Sequence, residues 1–230
     1  MTITDIIALL LFALLWMLFS WVTGIAQVLP RKSLTQAMAE RRREWLENSL
    51  TRDLKMIDTQ ILSGLQNGTG FFASTSIFAI GGCFALLGAT DQVDTVFRDI
   101  PFISHSSRTA FELKVCGLTA MFGYSFFKFG WSYRLFNYCT ILFGAVPMMA
   151  QTRVDIDQAR IAIDRVIEMN VIAAKHFNAG LRAIFLSIGY LGWFAGPYVF
   201  MGTSIFVFIV LVRRQFFSEA RRTALSTTLP

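Results

Sequence analysis

Four long apolar runs, at about 6–29, 71–90, 113–150 and 183–212, constrain this chain more than anything else in it. About 20 consecutive apolar residues, wound as a helix, match the thickness of a bilayer's hydrocarbon core. A backbone inside that core must satisfy its own polar groups, so the runs are expected to be helices rather than open strands. The first run has no charge at all from Ile6 to Leu29 and stops at Pro30-Arg31-Lys32. It lacks the basic start and small-residue cleavage site of a removable signal, so it is expected to stay as a transmembrane helix.

Composition agrees. Of 230 residues, 54% are hydrophobic and only 16% charged, with a mean hydropathy of +0.53, too apolar for a water-covered surface. The net charge of +6 does not point to nucleic acid, because the basic residues flank the apolar runs instead of forming one basic face. Cys83, Cys116 and Cys139 all fall inside apolar runs without the paired spacing of a zinc or redox site, and read as small buried hydrophobes.

Two further segments carry charge along one face and an apolar stripe along the other. In 33–66, Leu46, Leu50, Leu54, Ile57, Ile61 and Leu65 recur at three-to-four spacing, and Ser33 with Gln36 has the pattern of a capping box. In 153–178, Ile156, Ile163, Val166, Ile167 and Ala174 do the same. Both are expected as cytoplasmic amphipathic helices packed stripe to stripe. Asn67-Gly68-Thr69-Gly70 reads as the boundary between the first of them and a membrane span, and Gly196-Pro197 as a kink in the last span.

The expected fold is therefore all-α: a single integral membrane domain of about four long spans plus two cytoplasmic amphipathic helices. An outside N-terminus then places both amphipathic helices in the cytoplasm. It also leaves Arg213, Arg214, Arg221 and Arg222 outside, against the positive-inside rule. Splitting the third run near Arg134 would return them to the cytoplasm, at the expense of two short spans.

Lys128 and Arg134 are the sharpest polar features, because a cation near the bilayer centre costs about 2.5–3.5 kcal/mol on insertion scales. With Trp131 and Tyr138 they form a candidate anion or lipid-headgroup site, or alternatively mark a membrane interface beside an aromatic belt. Asn67, Gly70, Ser74, Thr75, Ser76, Gly81 and Gly82 form a candidate helix-packing motif, since small and hydroxyl residues let helices approach closely. There is no phosphate-binding glycine loop, no zinc-spaced His and Cys cluster and no nucleophile elbow, so neither enzyme activity nor a cofactor or metal is expected.

The stretch Leu65-Gln66-Asn67-Gly68-Thr69-Gly70-Phe71-Phe72-Ala73-Ser74-Thr75-Ser76 resembles a motif of an uncharacterised integral membrane family found in bacteria and plants. So do Phe126-Phe127-Lys128-Phe129 with Ser132-Tyr133-Arg134, and Arg213-Arg214-Gln215-Phe216. That resemblance implies the class and transfers no activity. The expectation is a multi-pass protein of the bacterial inner membrane, with membrane lipids and either its own copies or other membrane proteins as partners. It is expected to serve as an accessory or scaffold subunit; the alternative is a small oligomeric transporter or channel for an anionic solute or lipid headgroup.

Overall fold

The computed structural model describes residues 2–24, 31–90, 92, 107–147 and 156–226, and among these there is no strand. The helices are α1 (Ile3–Gly24), α2 (Leu34–Asn48), α3 (Met56–Gly88), α4 (Arg108–Gly144), α5 (Ile156–Ala195), α6 (Pro197–Phe216) and the short α7 (Glu219–Leu225). Four of them, α1, α3, α5 and α6, are long and apolar enough to cross a membrane. The all-α class expected from the apolar runs is what the chain forms.

The segment boundaries differ from the sequence reading in three places. The first amphipathic segment is not one helix: α2 ends at Asn48, a single 3₁₀ turn follows at Ser49–Thr51, and α3 begins at Met56. From there α3 runs 33 residues without interruption, so Asn67-Gly68-Thr69-Gly70 lies in mid-helix. Glycine inside a helix costs about 1 kcal/mol against alanine. Packing along α4 offsets this, with Tyr133 lying against Gly70 and the Thr69 hydroxyl bonded back to the Leu65 carbonyl at 2.7 Å.

The third run is continuous as well. α4 holds 37 residues from Arg108 to Gly144 and does not break at Arg134; residues 148–150 lie outside the described part. The second amphipathic segment and the start of the last apolar run are one 40-residue helix, α5, while residues 153–155 lie outside the described part. Gly196-Pro197, read as a kink, is a reversal. Gly196 adopts φ 147°, a conformation open to glycine, and Pro197 starts α6 where its missing N–H is harmless. α6 then folds back along α5, with the Thr203 hydroxyl donating to the Gly189 carbonyl at 2.7 Å and lying against Gly192.

Chain direction thus alternates through α1, α3, α4, α5 and α6. One end holds the start of α1, the end of α5 and the start of α6. The other holds α2, α7 and all the basic residues after Val212. Arg41 Nε donates to the Ala224 carbonyl at 2.9 Å, Arg221 Nε to the Lys32 carbonyl at 2.6 Å and Gln215 Nε2 to Thr35 Oγ1 at 2.7 Å. The C-terminal arm therefore shares an end with the amphipathic helices, which removes the charge conflict of the four-run reading. The capping box forms as expected, Gln36 N–H donating to Ser33 Oγ (3.3 Å) and Ser33 N–H to Gln36 Oε1 (2.8 Å).

Two large cores, and a smaller cluster of Leu135, Phe136 and Ala173 between α4 and α5, stack along the bundle. In the apolar half, Phe12, Phe19, Val115, Leu118, Leu186, Trp193 and Phe200 pack together from α1, α4, α5 and α6. In the charged half, Leu46, Leu62, Cys139, Phe143, Ile163 and Val166 pack from α2, α3, α4 and α5. The seam of α3 repeats every seven residues, through Leu62, Thr69, Ser76 and Cys83, the period that keeps two long helices in left-handed register. Between the cores, Phe72, Phe129 and Phe177 meet with centroids 5.4–5.6 Å apart. Gly180 sits beneath this cluster: a Cβ there would lie 2.7 Å from the Phe129 ring. Gly180→Val is accordingly expected to destabilise the protein by about 1–3 kcal/mol in a detergent melt, because the ring has no room to move. Gly82→Ala, with nothing within 4 Å of its Cβ, should be neutral or stabilising by up to about 1 kcal/mol.

Candidate functional site

The residues singled out from sequence separate into different surroundings. Lys128, half-buried, places its ammonium 5.2 Å from the Tyr124 ring centroid, one turn back on α4. Arg134 is exposed and turns forward, Nε donating to Tyr138 Oη at 2.5 Å. The two cations have different partners and no shared pocket. Trp131 meets His176 of α5 edge-on at 6.5 Å. These residues sit at the level of the Phe72–Phe129–Phe177 cluster, where the apolar half gives way to the charged half, together with Arg182, whose guanidinium bonds Thr23 Oγ1 and lies 5.8 Å from the Phe19 ring.

The small-residue motif packs only in part. Ser76 and Gly70 face α4, whereas Asn67, Ser74, Thr75, Gly81 and Gly82 are exposed, and the two glycines have open space where a Cβ would be. Among the described residues no helix lies opposite the two glycines. The close packing falls elsewhere: Ser132 Oγ donates to the Ala173 carbonyl at 2.7 Å, and Gly180, Gly189 and Gly192 bring α5 against its neighbours. Cys83 and Cys139 are buried as expected, but Cys116 faces outward.

Three polar groupings were not legible in the sequence. At the end holding the start of α1, Lys114 is 4% exposed and its Nζ donates to the Trp193 carbonyl at 2.9 Å. The Trp193 indole N–H donates in turn to Asp5 Oδ1 at 2.8 Å, so α1, α4 and α5 are tied at one point. At the opposite end Asp58 is fully buried and accepts from both Trp45 Nε1 (2.7 Å) and the Arg52 guanidinium, fastening the α2–α3 turn. Nearby, Lys55 reaches the Val146 and Pro147 carbonyls, and burial draws its pKa below the usual lysine value. Arg42 crosses to Asn170 Oδ1 at 2.5 Å, its pKa also lowered by burial. Lys114 stood at the edge of an apolar run and Asp58 in a charged segment, so neither looked exceptional.

Beside the Lys114 tie, a cleft of about 580 Å³ opens between α1, α4 and α5 in the apolar half. Phe12, Ala13, Trp16, Gly117, Met121 and Tyr190 form most of its wall. Gly117 has a definite role, since a Cβ there would fall 2.1 Å from Tyr190 Oη. Among the described residues no group of three or more His, Cys, Asp or Glu side chains is placed to hold a metal ion.

The amino-acid sequence matches a family model over nearly the whole chain, at residues 7–220. The chain belongs to the family DUF599. That family is described as proteins of unknown function, which agrees with the resemblance carried by the Leu65–Ser76 stretch and brings no activity with it. No curated protein and no solved structure matches the chain. In this DUF599 chain, the tie at Lys114 and the pair Lys128 and Arg134 should respond differently to mutation. Lys114→Met is expected to lower stability by about 1–3 kcal/mol in a thermal melt, because it abandons a buried carbonyl. Lys128→Ala with Arg134→Ala, which frees only cations beside tyrosines on their own helix, should change it by about 0.5 kcal/mol or less.

Proposed function

We propose that this chain is a multi-pass protein of the bacterial inner membrane that acts as an accessory or scaffold subunit, through protein and lipid contacts and without catalysing a reaction. The observation that carries this reading is the unbroken passage of α3, α4 and α5 from the apolar half into the charged half. At 1.5 Å per residue these helices are about 50, 56 and 60 Å long, against a hydrocarbon core of about 30 Å. Three helices therefore project well beyond the bilayer and hold a cytoplasmic bundle at a fixed distance and angle from it. α4 is less apolar than its neighbours but is enclosed between α3 and α5, so it makes a fifth crossing.

In this reading the N-terminus is outside, and α2, α7 and the basic C-terminal arm are inside, in keeping with the positive-inside rule. Lys128, Trp131, Arg134 and Arg182 then fall at the inner membrane boundary, where cations and aromatic rings meet anionic headgroups. Membrane lipids are one class of partner. A second copy or another membrane protein is the other, facing the outer side of α3, where Ser74, Thr75, Gly81 and Gly82 are uncovered among the described residues.

The alternative, a small transporter or channel for an anionic solute or lipid headgroup, has less support, because Lys128 and Arg134 do not converge on one site. Two measurements test the proposal. Purification in mild detergent should yield a reproducible assembly, with other membrane proteins or with further copies; a lone monomer without partners would overturn the scaffold role. In a cysteine-free background, single cysteines at Asn48 and Thr223 should be labelled from the same side of the membrane and one at Thr2 from the other. Labelling of Asn48 and Thr223 from opposite sides would overturn the five-crossing arrangement.

A further inference from the structure

The cleft between α1, α4 and α5 is lined by a hydroxyl that the fold does not use. Tyr190 is 5% exposed, and its ring is fixed by Phe12, Trp193 and Phe200 at centroid distances of 5.4–5.7 Å. Its hydroxyl lies at Gly117 on the cleft wall, and no described residue hydrogen-bonds to it. The other neutral donor on the wall, the Trp16 indole N–H, is likewise without a partner among the described residues, although its ring is packed against Phe12 and Tyr124. In apolar surroundings such donors stay unsatisfied unless a bound molecule supplies an acceptor, since no bulk water competes.

The remaining wall is hydrocarbon, aromatic ring and methionine, from Leu9, Phe12, Met17, Leu113 and Met121. The nearby polar tie does not satisfy the cleft, because the Trp193 indole is already bound to Asp5 and the Lys114 ammonium to the Trp193 carbonyl. A phenol and an indole present donors, and the indole nitrogen can do nothing else. The complementary ligand therefore has an apolar body and a neutral acceptor oxygen. Absence of a glycine at 117 would close the position, because any side chain there would collide with the hydroxyl.

We propose that the cleft binds one membrane-soluble molecule that presents a carbonyl oxygen to Tyr190 Oη from an otherwise apolar body. Two sources carry that chemistry: a ring carbonyl, as in a quinone, and the ester of an acyl lipid. The inference adds a defined ligand to the membrane reading, on which it rests for the solubility of that ligand. Its test is independent of whether partners co-purify.

The full-length protein, purified in an alkyl maltoside that has no carbonyl of its own, is titrated by calorimetry with three probes. These are a decyl-substituted benzoquinone, a fatty-acid methyl ester and an alkane of similar length. At least one carbonyl probe should bind saturably and more tightly than the alkane, and which one does so identifies the source. Tyr190→Phe, which keeps the ring and removes the hydroxyl, should weaken that probe by about tenfold, the loss of one hydrogen bond in apolar surroundings. Ala13→Trp, which fills the cleft and leaves Tyr190 in place, should abolish binding. A wild-type melting temperature for Tyr190→Phe makes its result readable without Ala13→Trp. Equal binding by Tyr190→Phe and wild type, or no preference of either carbonyl probe over the alkane, would overturn the proposal.

Discussion

The contact between α4 and α5 is the feature on which the other helices depend. It runs from Lys114 against Trp193, through Phe129 over Gly180 and Ser132 against Ala173, to Cys139 beside Val166. It therefore passes through both cores. Small residues on its inner faces bring the backbones close enough for a serine on one helix to reach a carbonyl on the other. α3 lies along the outer side of α4, α6 folds back on α5 at Gly196, and α1 packs on α6. Loss of the α4–α5 seam would divide the bundle into α3 with α4 and α5 with α6 and α1, whereas the core of the charged half contains no residue of α1.

Charge follows the same axis. In the half that holds Phe12 and Phe200, the buried cation among the described residues, Lys114, is held by a backbone carbonyl and lies near Asp5. The opposite half has surface pairs such as Arg43 with Glu47 and Asp164, which are exposed and contribute little individually. Among the described residues its fully buried carboxylate is Asp58, paired with Arg52 and Trp45. The amphipathic stripes of 33–66 and 153–178 are only partly used in building this half: Leu46 joins one core with Ile163, Val166 and Ile167, whereas Leu54, Ile57, Ile61 and Ile156 are exposed. The surface of this half therefore mixes charged side chains with exposed apolar ones such as Leu54, Ile57 and Ile161.

Much of this order was legible in the sequence. The apolar runs mark the helices and the Ser33–Gln36 box marks the start of α2, but of the two amphipathic stripes only Leu46, Leu50, Ile163, Val166 and Ile167 meet in one core, while Leu54, Ile57, Ile61 and Ile156 stay exposed. Continuity was harder to read. Asn67-Gly68-Thr69-Gly70 has the composition of a turn, and only the seven-residue repeat Leu62, Thr69, Ser76 and Cys83, which passes straight through it, marks a helix. Gly196-Pro197 carries the signal of a bend whether the next helix tilts or reverses, and the choice is made by Thr203 fitting against Gly189 and Gly192. Likewise Ser74, Thr75, Gly81 and Gly82 look like packing residues in isolation, but the neighbouring α4 meets the opposite face of α3. Tyr190 was one aromatic among many, and its unpaired hydroxyl depends on the third dimension.

α3 passes without a break from the apolar half into the charged half, and a rigid link between the two halves requires that continuity. Spin labels at Gln60 and Ala85, both on its exposed face, measure this directly by pulsed electron paramagnetic resonance in reconstituted bilayers. A continuous helix separates the two backbone positions, 25 residues apart, by about 38 Å with a narrow distribution. A markedly shorter or broad distribution would mean that the chain turns at Asn67–Gly70 and that the two halves are separate bodies.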